Sequence, residues 1–412
     1  MSSPTNGQRA LPVILFAVFL DLVANGILIP IVPQLLGNPQ SPYYLLPASV
    51  PVSYGYILLG FLIALYPIVM FFSTPILGEY SDYVGRRKVM ALSLFGTAAS
   101  LAMFAIGVNV RSLTLLFASR IVGGLSGGNI SVAQAAMADI TPPKLRAARF
   151  GLIGAAYGVG FIVGPVLGAL LSDSHLVSWF SAATPFWFAM ALSLINAACV
   201  YLFMSETRQS DEKMTVFWHK AIHNVFKAYG MKDLRMVFAT NFLFQAGITL
   251  FATFFSVFLI SSFGYSQIGV GYYIGYAGIW LIASQAILLR YLTKRFDEVA
   301  LLRVFLFMGA AAVFAYYIPT HTVGLLIVGA VFALTNGISM STLPSLASNR
   351  APANNQGEIL GINASVQALA QAIPPIIAGF LAAEITPSAP IYAAGATIGA
   401  AWILFVTTVR KS

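Results

Sequence analysis

Apolar runs of about 20 residues, each long enough to cross roughly 30 Å of hydrocarbon as a helix, recur twelve times along this chain of 412 residues. They fall near 11–36, 52–77, 89–108, 112–137, 149–171, 184–204, 235–262, 267–290, 301–318, 322–347, 358–382 and 390–408. A segment in hydrocarbon must satisfy its backbone hydrogen bonds internally, so it is a helix or part of a closed barrel. Barrel strands alternate apolar with polar residues, and these runs do not. Only 8% of the residues are charged, where a soluble chain carries about a quarter. The expectation is an all-α integral membrane protein of twelve transmembrane helices.

Basic residues set the orientation. With the N-terminus in the cytoplasm, all but two of the 22 Lys and Arg fall in cytoplasmic loops or tails. These are Arg9; Arg86, Arg87 and Lys88; Lys144, Arg146 and Arg149; the cluster from Arg208 to Arg235; Arg290, Lys294, Arg295 and Arg303; Arg350; and Arg410 and Lys411. Retention of positive charge inside places both termini in the cytoplasm, and it makes the net charge of +9 a matter of topology rather than of nucleic-acid binding. The exceptions are Arg111, in an outer loop, and Arg120, inside the fourth run. The one cysteine, Cys199, rules out an intramolecular disulfide. No cleavage site precedes the first run, which reads as an uncleaved helix. The Asn-x-Ser triplets at Asn129 and Asn363 lie within spans and are not expected to be glycosylated.

The longest hydrophilic stretch, 205–234, divides the runs six and six. This gives bundles at 1–204 and 235–412 joined by a cytoplasmic loop. The halves repeat: a shift of 210 residues lays Pro142 on Pro352, Gly151 on Gly361 and Pro165 on Pro375. A duplicated six-helix unit places a substrate site between the halves near the bilayer midplane.

Two ionisable groups lie deep in apolar runs, Asp21 and Arg120. A bare arginine at that depth costs roughly 2.5 kcal/mol or more, so it needs a partner or a watery cavity. Asp21 shares a helical face with Asn25, four residues on. Burial and a nearby cation act in opposite directions on a carboxylate's hold on its proton, which suits Asp21 to proton carriage. A permanent ion pair or polar plug is the structural alternative.

The second run is followed by Gly78-Glu-Tyr-Ser-Asp82-Tyr-Val-Gly85-Arg86-Arg87-Lys88. The glycines permit a tight turn, and the basic cluster anchors it inside. This spacing resembles the loop signature of the major facilitator superfamily, and the resemblance extends over essentially the whole chain. Arg120 followed by Gly124 and Gly127 resembles that family's fourth-helix motif, which is linked to proton coupling. Gly160-x-x-x-Gly164-Pro165-x-x-Gly168 is similar to the fifth-helix motif of drug/proton antiporters, with Ala169 where a second glycine is usual. Leu20-Asp21 to Pro33, and Ala138-Asp139-Ile140-Thr141, resemble tetracycline/proton antiporters in particular. The resemblance implies a major facilitator fold of two pseudo-symmetric six-helix bundles that exports substrate in exchange for protons. Asp21 and Arg120 are then the proton-coupling pair. Gly78, Asp82, Gly85, Arg86, Arg87, Gly160, Gly164, Pro165 and Gly168 form the conformational switch, with Asp82 and Arg86 docking their loop against the second half. Read without the resemblance, the fifth-run glycines recur on one helix face, which also serves ordinary close packing.

The chain departs from the tetracycline pumps in its ninth run, which carries Arg303 near its inner end and no acid. His175 and His321 fall in outer loops, and His219 and His223 in the central one, so a metal-chelated substrate is not expected. Polar stripes mark a candidate binding surface: Asn241, Gln245, Thr249 and Thr253 in the seventh run, and Asn363, Gln367 and Gln371 in the eleventh. Such stripes face protein rather than lipid, lining a pathway or bonding helices together. Asn25, Gln134, Asn336, Phe255 and Tyr276 complete the candidate set, the aromatic ones because rings suit a lipophilic or cationic guest.

The expected function is proton-coupled export of small lipophilic compounds or drugs, by a monomer in a bacterial inner membrane in contact with lipid, without cofactor or metal. A transporter of sugars, amino acids or siderophores is the nearest rival, and a receptor or lipid translocase is a further one. A membrane enzyme would need a nucleophile, acid pair or metal cluster, and the sequence offers none.

Overall fold

The computed structural model describes residues 4–141, 146–207, 234–350 and 356–409, together with 223, 226–228 and 230–231. Regular structure among them is helical throughout. The expected loop at 205–234 lies mostly outside the described residues, as do Pro142, Lys144, Arg208, His219, Pro352, Arg410 and Lys411. Nine described helices are long and apolar enough to cross a membrane, and shorter apolar helices at Ala10–Gly26 and Gly158–Leu171 stand where the first and fifth spans were expected. The fourth span comes in two pieces, Leu113–Ser126 and Asn129–Asp139, parted at Gly127 and Gly128, the residue type that most weakens a helix interior apart from proline. The arrangement is consistent with twelve spans.

Prolines set the other interruptions. The helix Pro4–Gly26 stops before Pro30, and the chain resumes as Val32–Leu36 with Pro33 in its first turn, where a missing N–H breaks no bond. The eleventh span is Gln356–Ala372 followed by Pro374–Glu384, because Pro374 and Pro375 have no N–H to return to the preceding turn.

The second span outruns its apolar stretch. Its helix, Val52–Val84, continues through Gly78 and Asp82, both expected in a loop. The turn into the next helix, Arg86–Asn109, is Gly85 alone, at φ +109°. A side chain is strained at that φ, and a Cβ there would also run into the Glu206 carboxylate.

The first span packs on the fifth, the third on the fourth and sixth, and the seventh on the eleventh and twelfth. The largest contacts between the halves are second span against eleventh and fifth against eighth (Gln267–Ala283), which the 210-residue repeat interchanges, and Val32–Leu36 adds a smaller one on the seventh. In the first, glycines meet backbone to backbone: a Cβ on Gly60 would stand 3.1 Å from Gly379 Cα, and the Phe61 and Phe380 rings meet edge to face at 6.2 Å. In the second, Gly271 lies against Ala169 and the Pro165 carbonyl. Gln267 Nε2 donates to Ser172 Oγ at 2.6 Å across the halves, and within the first half the Tyr43 hydroxyl donates to the Ser172 carbonyl at 3.2 Å. The fifth–eighth contact continues along both helices through Gly278 on Ile162 to Gly158 on Ile282.

Ala169 thus fits because the eighth span presents a glycine opposite it. Gly271→Ala is expected to cost about 1–3 kcal/mol by overpacking. Adding Ala169→Gly should recover part of that loss, and thermal unfolding of the purified protein in detergent measures both.

Candidate functional site

Asp21 is 4% exposed on the first span. Asn25 Nδ2 donates to the Asp21 backbone carbonyl at 2.9 Å and to its Oδ2 at 3.4 Å. The Asn129 side chain faces the same carboxylate. Asn129 opens the inner piece of the fourth span just after the Gly127–Gly128 break, it is buried, and its Oδ1 has no hydrogen-bond partner among the described residues.

Arg120 sits in the outer piece of the same span, half-buried, with Cζ 4.6 Å from the centre of the Phe104 ring. Such a contact is worth about 0.5–2 kcal/mol, depending on desolvation, less than a full ionic partner supplies. Among the described residues Arg120 forms no ion pair. Nine residues separate it from Asn129, about 13 Å along a helix, which explains why the cation and the carboxylate do not meet. The structure sets the two on neighbouring helices at different depths, with Tyr66 of the second span in electrostatic reach of both.

A second polar centre surrounds Arg86, which is buried although charged. Its Nη2 lies 2.5 Å from Asp82 Oδ1 and its Nε 3.2 Å from Asp139 Oδ2. Its Nη1 donates to Ser81 Oγ at 2.5 Å and to the Gly78 carbonyl at 3.3 Å. These partners all come from the first half, whereas the sequence pointed to docking on the second. Asp139, at the end of the fourth span, is within reach of the guanidinium fork and takes that place. Glu206, just past the sixth span, accepts from the Arg86 backbone N–H at 2.7 Å. The carboxylate so caps the positive end of the third helix.

The fifth-span motif has two working sides. A Cβ on Gly160 would stand 2.7 Å from Leu22 Cβ, and one on Gly164 2.7 Å from Gly26 Cα. The glycines therefore bed the first span, with Asp21, onto the fifth. Ala169 and the Pro165 carbonyl face the eighth, while the Pro165 ring lies against Gly26 of the first.

The sequence profile described as Major Facilitator Superfamily matches residues 14–375. The chain belongs to that superfamily. It is 30% identical over 401 residues to the class C tetracycline resistance protein of Escherichia coli, covering 96% of this chain and 93% of that one. Identity to mouse major facilitator superfamily domain-containing protein 10 is 27%, covering 91% and 87% of the two chains. For multidrug resistance protein 2 of Bacillus subtilis it is 26%, covering 92% and 91%. In fold it is similar to the human organic anion transporter MFSD10 (TETRAN), with a TM-score of 0.72, 23% identity and coverage of 97% and 99%. It is likewise similar to a D-xylose–proton symporter, with a TM-score of 0.77, 15% identity and 98% of both chains covered. The protein is an integral membrane transporter and not an enzyme.

Within this superfamily fold the candidate substrate residues separate by what their polar atoms already do. Asn241 Nδ2 donates to Asn363 Oδ1 at 2.6 Å, tying the seventh span to the eleventh. Thr249 Oγ1 returns to the Gln245 carbonyl at 2.8 Å. Phe255 is core, stacked on Phe251 with ring centres 4.4 Å apart, and Tyr276 donates to the Leu326 carbonyl of the tenth span at 3.3 Å. Gln245 and Gln367 are half-buried, and Gln134 is exposed. Asn336 Oδ1 is buried without a hydrogen-bond partner among the described residues.

Sequence reasoning missed Tyr66 and Glu206 and gave Asn129 no role at the site. A tyrosine inside an apolar span, and an acid at a helix end on the same face as a buried arginine, were the available signals. Arg86→Lys keeps the charge but loses the planar fork. It is expected to lower stability by about 1–3 kcal/mol, short of the full loss from breaking a buried pair because Asp82 is partly exposed. Arg86→Ala should cost more, with thermal unfolding as the measurement.

Proposed function

We propose that this transporter exports small lipophilic organic compounds in exchange for protons, by alternating access. The observation that carries the reading is Asp21: a buried carboxylate with no cation on it among the described residues, on a span bedded on the glycines of the fifth, the helix whose Ala169 also meets the other half. A group placed there exchanges a proton for a substrate with local consequences for helix packing. The names of relatives at 26–30% identity, tetracycline resistance and multidrug resistance proteins, support efflux.

In this reading residues 1–204 and 235–412 are two bodies that rock about the fifth–eighth and second–eleventh contacts, joined by 205–234. Asp21 takes its proton from outside. Arg120 tunes that site or competes with substrate for it, and the Arg86 centre holds one end state. Gln245, Gln367, Gln134 and Asn336 keep polar groups for a guest. The chain works as a monomer in a bacterial inner membrane, with both termini in the cytoplasm.

Arg120 favours a second reading. A deep guanidinium with no carboxylate on it suits an acidic organic compound, in line with the name of the organic anion transporter of similar fold.

Proteoliposomes carrying a pH-sensitive dye distinguish these readings. Lipophilic drugs and tetracyclines are expected to elicit proton flux with the wild type, and Asp21→Asn to abolish it while the protein stays folded. Flux elicited by acidic compounds instead, lost in Arg120→Gln, would establish the second reading. Flux elicited by a sugar or amino acid alone would move the protein to metabolite transport.

A further inference from the structure

Tyr66 lies along the glycine face of the fourth span, between its two functional residues. A Cβ on Gly123, three residues beyond Arg120, would stand 3.3 Å from Tyr66 Cδ2, and one on Gly127, two residues before Asn129, 2.7 Å from the Tyr66 hydroxyl. The ring therefore spans the stretch from the Arg120 level to the break that Asn129 follows. Its hydroxyl has no hydrogen-bond partner among the described residues. It is in electrostatic reach of the Asp21 carboxylate and the Arg120 guanidinium. Asp21 from the first span, Arg120 from the fourth and Tyr66 from the second are the ionisable groups around this space, and the third span adds the Phe104 ring.

Pro67 follows Tyr66 inside the 33-residue helix Val52–Val84, which holds a second proline at Pro75. A proline returns no N–H to the carbonyl four residues earlier, so Pro67 provides a bend point beside Tyr66. On one side of this bend lies Gly60, against Gly379 of the other half, and on the other lie Ser81 and Asp82, on Arg86.

We infer that Tyr66 is a positioning residue that passes the charge state of Asp21 to the second span: its hydroxyl donates to the ionised Asp21 carboxylate, directly or through one water, and lets go when the carboxyl is protonated. Held, the second span is drawn toward the first and fourth at its bend. Released, it is free to move at both ends, at the contact between halves and at the arginine centre. This role rests on the reading of Asp21 as the proton site.

Infrared difference spectra of the full-length protein in lipid, recorded between acid and alkaline buffer, test it without a transported ligand. A carboxyl band absent in Asp21→Asn belongs to Asp21. Tyr66→Phe keeps the ring that packs on Gly123 and Gly127, so the protein is expected to fold, with an unfolding temperature close to wild type. The expected result is a shift of the ionised Asp21 band in Tyr66→Phe and its partial return in Tyr66→His, which restores a donor. An unshifted band overturns the role of Tyr66 while leaving Asp21 as proton site. A wild type with no titrating Asp21 band overturns both, and does so before any Tyr66 variant is measured.

Discussion

Charge in hydrocarbon is costly, by roughly 2.5–3.5 kcal/mol for a single central residue even on insertion scales, and this chain places one charge of each sign on neighbouring helices without letting them meet. A direct ion pair would satisfy both and fix the first span to the fourth. Kept apart, each needs its own surroundings: two asparagine side chains about Asp21 and the face of Phe104 beneath Arg120. The Gly127–Gly128 break sets Asn129 at the head of a new helical piece. It also leaves the fourth span smooth enough for Tyr66 to lie along it. Much of the first half is arranged around that separation.

The opposite solution holds at Arg86. There a guanidinium is buried by spending its planar donors on two carboxylates, a hydroxyl and a carbonyl, the geometry at which arginine excels. Gly85 makes this possible, since the chain reverses in one residue and brings the start of the third helix onto Glu206. One centre is satisfied and the other is left open. In the proposed exchange the first is a fixed joint and the second a group free to change its partner.

The spans were legible because apolar length is a property of the chain itself, and the described helices are consistent with twelve of them. The loop and fifth-span motifs were legible as spacings. What they touch was not. Periodicity names a face of a helix without naming its neighbour, so Arg86 was expected against the second half although Asp139 lies beside it. Phe255 was expected to suit a lipophilic or cationic guest, and it stacks in the core. Ala169 read as a departure from a motif, and Gly271, about a hundred residues on, accommodates it. Glu206 carried no motif at all. In each case the missing information was a contact between residues far apart in sequence.

The duplication makes one more asymmetry visible. A shift of 210 residues carries Arg86 to Phe296 and Asp139 to Asn349. At the second position the structure has Asn349 Nδ2 donating to Glu298 Oε1 at 2.9 Å, with the Ser345 hydroxyl on the same oxygen at 2.5 Å. The second half thus keeps the joint but not the arginine, and it has no counterpart to Arg120. Its interior is instead aromatic, with Phe251, Phe255, Phe258, Tyr316 and Phe332 in mutual ring contact. Close-packed rings deform little, whereas hydrogen bonds to a titrating carboxylate are made and broken by a single proton. In the proposed exchange the response to protons therefore belongs to the first half, and the second serves as the stiff body against which the second and fifth spans move.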